Sequence, residues 1–191
     1  TGNLGLSYRD TQQYAKSIAF IEKAVKGAIL IKDRHREGLF YRNIGSVYQM
    51  MGEYTKAVDY FNKALPVARA LNDNYTECLT LLSLGFACWS YGNYAEALVS
   101  YNNSLKLARL TGNTWAEGRC YSGIGLVHWE QGDYSEALNY SEKSLDIATK
   151  IGDNEGISYC LGNIAIIYDQ IGNVNKAFEY YKKGLEVSEL I

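Results

Sequence analysis

The sequence repeats one short phrase every 40 residues, and the spacing stays constant along the chain. The phrase is written Gly52-Glu53-Tyr54 with Ala57, Gly92-Asn93-Tyr94 with Ala97, Gly132-Asp133-Tyr134 with Ala137, and Gly172-Asn173-Val174 with Ala177. Gln12-Gln13-Tyr14 begins the same phrase with the glycine missing. A constant period without insertions indicates one structural unit stacked on copies of itself. Such a stack presents a long continuous face, and binding is its usual use.

Each unit has the pattern of two helices joined by a short turn. Between residues 35 and 51 the apolar side chains fall three and four residues apart, which is the spacing of one helix face. Gly52 then ends this helix, and a second apolar stripe follows over residues 54–71. At the end of a later unit, Gly152 is expected to terminate the second helix and Asp153 to cap the next helix.

One proline in 191 residues and the absence of alternating apolar and polar runs favour helix throughout. We therefore predict an all-α fold of antiparallel helix pairs that form a single solenoid domain. About five units are expected, approximately at residues 1–33, 34–73, 74–113, 114–153 and 154–191. The first unit is incomplete, because residues 2–8 match residues 42–48 in the middle of a first helix. The chain is therefore expected to be a fragment of a longer protein.

Small residues recur where two helices are expected to touch. Gly45 and Gly125 hold the same place in the first helices of their units. A glycine inside a helix costs about 1 kcal/mol relative to alanine, so its recurrence indicates a close contact. Ala57 and Ala137 hold equivalent places in the second helices, and we expect them to form the other half of that contact.

Composition argues against several classes of partner and compartment. The formal net charge of -2 gives no basic excess, so nucleic acid is not expected as a partner. No apolar run approaches the roughly 20 residues that cross a bilayer, so membrane insertion is not expected either. Cys78, Cys88, Cys120 and Cys160 follow no paired spacing. We expect them to be reduced and buried, which favours a cytoplasmic location.

The sequence shows no catalytic constellation. His35 and His128 are the only histidines, too few for an ordinary zinc site. A phosphate-binding glycine loop, a nucleophile elbow and an HExxH motif are all missing. We therefore expect this stretch to be no enzyme and to use neither a cofactor nor a metal.

The spacing of these residues resembles the tetratricopeptide repeat family. Its consensus places leucine-glycine, then tyrosine, then glycine-x-tyrosine, then spaced alanine, aromatic and alanine. One unit here reads Ile44-Gly45, Tyr48, Gly52-Glu53-Tyr54, Ala57, Phe61, Ala64. The family's usual unit has about 34 residues, and the extra ones here lengthen the second helix and its turn. This longer form resembles LGN/Pins-type scaffolds, kinesin light chains and bacterial regulators in which repeats accompany a kinase, cyclase or DNA-binding domain.

The resemblance implies a right-handed superhelix whose first helices line a concave groove. It implies a module that binds a peptide or protein segment there, in a scaffold or adaptor role. The alternative is a regulatory input domain of a larger signalling protein, such as a histidine kinase, a nucleotide cyclase or a transcription regulator. The last helix lacks an obvious polar capping helix, so end-to-end self-association of the terminal repeats is a further expectation.

The resemblance also points to particular groove residues, which lie at fixed offsets from the repeated glycine of each first helix. They are Asn3, Leu39, Arg42, Asn43, Ser46, Gln49, Leu79, Leu82, Phe86, Trp89, Arg119, Leu126, Trp129, Tyr159, Asn163 and Asp169.

Three kinds of contact are expected among them, each with an alternative. Trp89 and Trp129 would face solvent and anchor a partner, or else fill space against neighbouring helices. Asn43 and Asn163 would bind a peptide backbone, or else bond between helices. The charged residues, of which Arg119 is one, would pair with a ligand, or else be solvated.

Overall fold

The computed structural model describes residues 13–189, and all regular structure in this range is α-helix. The nine helices are α1 (Tyr14–Leu30), α2 (Arg34–Met50), α3 (Tyr54–Ala70), α4 (Asn74–Ser90), α5 (Tyr94–Thr111), α6 (Thr114–Glu130), α7 (Tyr134–Ile151), α8 (Asn154–Gln170) and α9 (Val174–Ser188). The predicted all-α repeat fold is confirmed. Asn3 and the rest of the predicted first helix of the first unit lie outside the described residues.

The turns between helices follow the predicted capping chemistry. Gly152 ends α7 in the left-handed conformation with φ 69°, which glycine adopts without a steric penalty. The carboxylate of Asp153 then accepts a hydrogen bond of 2.9 Å from the backbone N–H of Gly156 and so caps α8. Two turns place other residues at the glycine position, where Lys32 has φ 56° and Asn72 has φ 52°. The turn geometry is therefore conserved even where the glycine is replaced.

The chain divides into two compact units, residues 1–100 and 101–191, with the boundary inside α5. In the first unit, α1 packs on α2, α2 on α3, and α3 on α4, while α2 also contacts α4. In the second unit, α6 packs on α7, α7 on α8, and α8 on α9, while α6 also contacts α8. First helices of successive hairpins therefore lie side by side within each unit.

The repeated glycines sit at close helix contacts, as predicted, although their partners differ. A Cβ added at Gly45 would lie 2.7 Å from a ring carbon of Phe61, a distance that no real side chain tolerates. A Cβ at Gly125 would lie 3.3 Å from the carbonyl oxygen of Ala137. The predicted contact with the repeated alanine is therefore present at Gly125. At Gly45 the close neighbour is an aromatic ring instead, because Phe61 fills the space one turn along the second helix.

The last helix, α9, exposes an apolar face in the part of the chain that the structure describes. Phe178 is 71 % exposed and Leu185 is 61 % exposed, on the same face as Tyr181. In α1 the equivalent side chains, Ile18, Ile21 and Val25, are buried in a core that includes two residues of α2. The stripe on α9 thus repeats a packing surface that the following first helix covers in α1.

Candidate functional site

A cleft with a cavity volume of about 40 Å³ opens between the two first helices of the second unit. It is lined by Gly125, Leu126 and Trp129 of α6, Ser141 of α7, and Asn163, Ile166 and Ile167 of α8. The walls are largely apolar, with a small number of polar groups, which is the usual make-up of a ligand site. Three of the predicted groove residues, Leu126, Trp129 and Asn163, therefore come together here.

The cleft exists because one side chain in the repeat is small. Ser141 stands where other second helices carry Phe61 and Tyr101, which are buried at 0 % and 2 % exposure. In the first unit the ring of Phe61 fills the space against Gly45. In the second unit no ring approaches Gly125, and the atom nearest to an added Cβ is the hydroxyl oxygen of Ser141, at 3.2 Å. The missing ring leaves the space that the cleft occupies.

The polar groups of the cleft have bonding capacity to spare. Asn163 is half-buried, and its side-chain amide makes no hydrogen bond with any residue that the structure describes. Asn43, its equivalent in the first unit, makes none within the described residues either. The interhelical bond that was the alternative for these asparagines is therefore not formed. A free amide can donate to and accept from a peptide backbone at the same time.

The two tryptophans are less exposed than the sequence predicted. Trp89 and Trp129 are both half-buried, and the indole Nε1 of each is covered without a hydrogen-bond partner among residues 13–189. The ring of Trp89 lies 5.6 Å from that of Phe86, centroid to centroid. This half-buried state lies between the two alternatives of facing solvent and filling space between helices, and the role of the rings as anchors stays a prediction. Trp129 keeps one side on the cleft.

A second, smaller depression, with a cavity volume of about 10 Å³, lies toward the N-terminal ends of α6 and α8. Arg119 stands at its edge, with its guanidinium 5.9 Å from the ring centre of Trp115 and 5.5 Å from that of Tyr159. Both distances are typical of cation–π contacts. Arg119 and Tyr159, two predicted groove residues, are thereby brought together.

The floor of this depression is hydrogen-bonded within the protein. The Ser144 hydroxyl donates to the Gly118 carbonyl at 2.9 Å and accepts from the Cys160 thiol at 3.1 Å. Burial raises the pKa of the Cys160 thiol, which therefore stays protonated and unreactive at neutral pH. The chemistry available to a ligand here lies with Arg119 and the two rings.

The remaining candidates in the first unit are partly exposed, and the hydroxyl of Ser46 is hydrogen-bonded within its own helix. The Ser46 hydroxyl donates to the carbonyl of Arg42 at 3.1 Å, one turn back along its own helix. The side-chain oxygen of Gln49 is covered and lacks a partner in the described chain. The other partly exposed candidates of this unit are Leu39, Arg42, Asn43, Leu79, Leu82, Phe86 and Trp89. In the second unit, Asp169 is exposed near the end of α8.

Two residues that shape these sites were not among the predicted groove residues. Trp115 is 46 % exposed and lies one helical turn before Arg119, on the same face. That spacing is visible in the sequence and could have identified it. Ser141 was not predicted either. Other repeats carry an aromatic ring at this position, so a serine there indicates missing side-chain volume.

Other chemistry has little support in residues 13–189. They contain no group of three or more His, Cys, Asp or Glu side chains placed to hold a metal ion. His128 stacks on Tyr140 with ring centres 5.5 Å apart, as part of the packing between α6 and α7. No helix in this range combines the length and the apolar composition that crossing a membrane requires.

Comparison with known sequences identifies the class of protein that these hairpins form. The family profile described as tetratricopeptide repeat matches residues 1–70, 75–150 and 121–189. The chain belongs to the tetratricopeptide repeat family. No match is found among curated proteins.

Several solved structures share the fold. One is a Rap protein complexed with competence and sporulation factor, at 17 % identity and a TM-score of 0.85, matched over 98 % of this chain and 53 % of that one. The Rap conjugation gene regulator of plasmid pLS20, in complex with a Phr peptide, has 21 % identity and a TM-score of 0.80, over 97 % of this chain and 51 % of that one.

A third structure is a signal transduction ATPase with a tetratricopeptide repeat sensor, from Pyrococcus horikoshii. It has 20 % identity and a TM-score of 0.84, over 97 % of this chain and 28 % of that one. The chain thus spans about half of the two Rap chains and a smaller share of the ATPase. At these identities the similarity shows a common fold.

Proposed function

We propose that this chain is a protein-interaction module that holds an extended peptide segment between α6 and α8. The observation that carries the proposal is the cleft opened by Ser141, with the unbonded amide of Asn163 at its wall. Apolar side chains of the segment would pack on Trp129 and Leu126. The segment's backbone would pair with Asn163, since an extended chain leaves its N–H and C=O groups available.

Two of the structural relatives support this reading. One is a Rap protein complexed with competence and sporulation factor, and the other is a Rap regulator in complex with a Phr peptide. Peptide binding is thus compatible with this fold. Within the first unit, Asn43 and Trp89 would make contacts of the same kind with a segment bound there, with the module acting as a scaffold or adaptor.

The test uses a substitution that the repeat itself suggests. Random 12-residue peptides displayed on phage are selected on the whole 191-residue chain, and the selected peptides are synthesised with a fluorophore. Ser141→Phe introduces the aromatic ring that other repeats carry at this position. The variant should therefore fill the cleft and keep the fold. We expect it to abolish measurable binding in fluorescence anisotropy, and Asn163→Ala to weaken binding about threefold to tenfold, the value of one hydrogen bond.

A matched control is available on the second helix of another unit. Asn62 is exposed on α3 and lines neither depression, so Asn62→Ala should bind the peptides as the unchanged chain does. Circular dichroism should show the same helix content in all variants. Unchanged affinity in a folded Ser141→Phe variant would refute the cleft as the binding site.

A second candidate function is that of a regulatory input domain. The signal transduction ATPase from Pyrococcus horikoshii supports it, because that protein has a tetratricopeptide repeat sensor and the match covers 28 % of its chain. In this role the same cleft would report a bound peptide to an attached kinase, cyclase or transcription regulator. The full-length gene sequence decides between the two: an adjoining effector domain favours the input domain, and repeats alone favour the scaffold.

We propose one further partner, a second copy of the chain, at the exposed face of α9. The face repeats the stripe by which α1 packs on α2, so the contact would continue an interface already present in the fold. A second copy of the chain contains first helices, and these carry the apolar pattern against which such a stripe packs. Exposed apolar area of this kind is a common mark of an interaction surface.

A further inference from the structure

Arg119 breaks the repeat at a position that is apolar or aromatic elsewhere. The equivalent residues in the other units are Leu39, Leu79 and Tyr159. The fold therefore does not need a charge at this place, and Arg119 is exposed rather than packed into the core. A charged residue that the fold does not require, at the edge of a depression, calls for an explanation by its chemistry.

The guanidinium of Arg119 is oriented and has donors to spare. Trp115 and Tyr159 hold it at 5.9 Å and 5.5 Å from their ring centres. A guanidinium carries five N–H donors in a planar fork that matches a carboxylate, and contacts with aromatic rings use none of them. Arg119 forms no ion pair and no hydrogen bond with the residues that the structure describes. The carboxylate that lines the same depression belongs to Asp153, and it is engaged in capping α8.

On this basis we propose that Arg119, with Trp115 and Tyr159, is the subsite for an acidic side chain of the bound peptide. The inference rests on the proposed function and names the class of segment that the cleft takes. A carboxylate would form two parallel, charge-assisted hydrogen bonds with the guanidinium. The two rings would hold the guanidinium in position for that pair, which lowers the entropy lost when the pair forms.

The spacing of the two subsites sets the pattern of the ligand. Arg119 lies seven residues before Leu126 on α6, and Tyr159 lies seven residues before Ile166 on α8. Seven residues are close to two helical turns, so both subsites lie on one face, about 10 Å apart. An extended chain advances about 3.4 Å per residue, so about three residues span this distance. The ligand is therefore an extended segment with Asp or Glu about three residues from a large apolar residue.

The experiment starts from the phage-selected peptides, synthesised with acetylated and amidated ends. We expect Asp or Glu to be enriched about three positions from a large apolar residue. Replacing that residue by Asn or Gln should weaken binding to the unchanged chain about tenfold or more, in line with a hydrogen bond to a charged group. The same replacement should cost less than about twofold on the Arg119→Gln variant, because the two changes remove the same interaction.

Two further variants sharpen the assignment. Arg119→Lys keeps the charge without the planar fork, so it should bind with intermediate affinity. Arg36→Gln removes an exposed arginine of the first unit that pairs with Asp33, and it should leave affinity unchanged. Each variant's melting temperature is compared with that of the unchanged chain, so that loss of fold is not read as loss of binding.

The outcomes separate this inference from the proposed function. If peptides bind in a manner that requires the open cleft at Ser141, yet neither the acidic residue nor Arg119 affects affinity, the carboxylate subsite is refuted and the module stands. If the amidated peptides fail to bind while the same peptides with a free C-terminus bind, the carboxylate is terminal and the side-chain assignment is refuted. If filling the cleft with Ser141→Phe leaves binding intact, or if no peptide is selected, both proposals fail.

Discussion

Gly45 and Gly27 are both helical glycines, but their surroundings differ. A Cβ at Gly45 would lie 2.7 Å from the ring of Phe61, whereas a Cβ at Gly27 would meet nothing within 4 Å. Both glycines lie inside helices, where glycine costs about 1 kcal/mol relative to alanine. At Gly45 the close approach of the ring outweighs that cost.

The contrast predicts opposite effects of the same substitution. Gly45→Ala should lower the free energy of unfolding by about 1–3 kcal/mol, since the ring has to move in a packed core. Gly27→Ala should raise it by up to about 1 kcal/mol through helix propensity alone. Urea denaturation of the two variants measures both changes. A stabilised Gly45→Ala variant would show that Phe61 can give way and that the close contact is unimportant.

The residues that differ among repeats define the candidate site, while the shared ones build the core. Ala57, Ala97 and Ala137 hold the same place in successive units and are fully buried. Ser141 and Arg119 depart from the repeat, the first by lost volume and the second by gained charge. Partner choice is accordingly expected to depend on such departures.

At the scale of single helices, α9 differs from the other second helices in what it leaves open. Phe178 and Leu185 are mostly exposed, whereas their counterparts in α1 are buried against α2. The surface of α9 is thus apolar in the pattern of a packing face. Self-association through this face is the direct consequence that we expect.

Phe178→Glu should weaken this self-association, because a carboxylate placed on the face would be buried without a partner. Sedimentation velocity over a range of concentrations should show association of the unchanged chain and a monomer for the variant. Leu110→Glu is the matched control, since Leu110 is equally exposed at 71 % and lies at the end of α5. If the unchanged chain stays monomeric at high concentration, the proposed self-association is contradicted.

At the scale of the whole molecule, much of the fold could be predicted from the sequence. The repeat period shows which residues are equivalent in successive repeats. It therefore predicts the hairpins, the turn at Gly152 and the cap at Asp153, because these depend on local backbone chemistry. The site was harder to predict, because it depends on how side chains fill space between helices. The half-buried state of Trp129 and the cleft beside Ser141 follow from such packing, which spacing alone does not determine.

The central claim is that a peptide binds between α6 and α8, and nuclear magnetic resonance tests it most directly. A phage-selected peptide is titrated into ¹⁵N-labelled chain, and the side-chain signals of the tryptophan indoles and asparagine amides are followed. We expect the largest chemical-shift changes at the Trp129 indole and the Asn163 side-chain amide. The signal of the Asn62 amide on α3 should stay unchanged. Shifts concentrated on α7 and α9, with Trp129 and Asn163 unaffected, would contradict it.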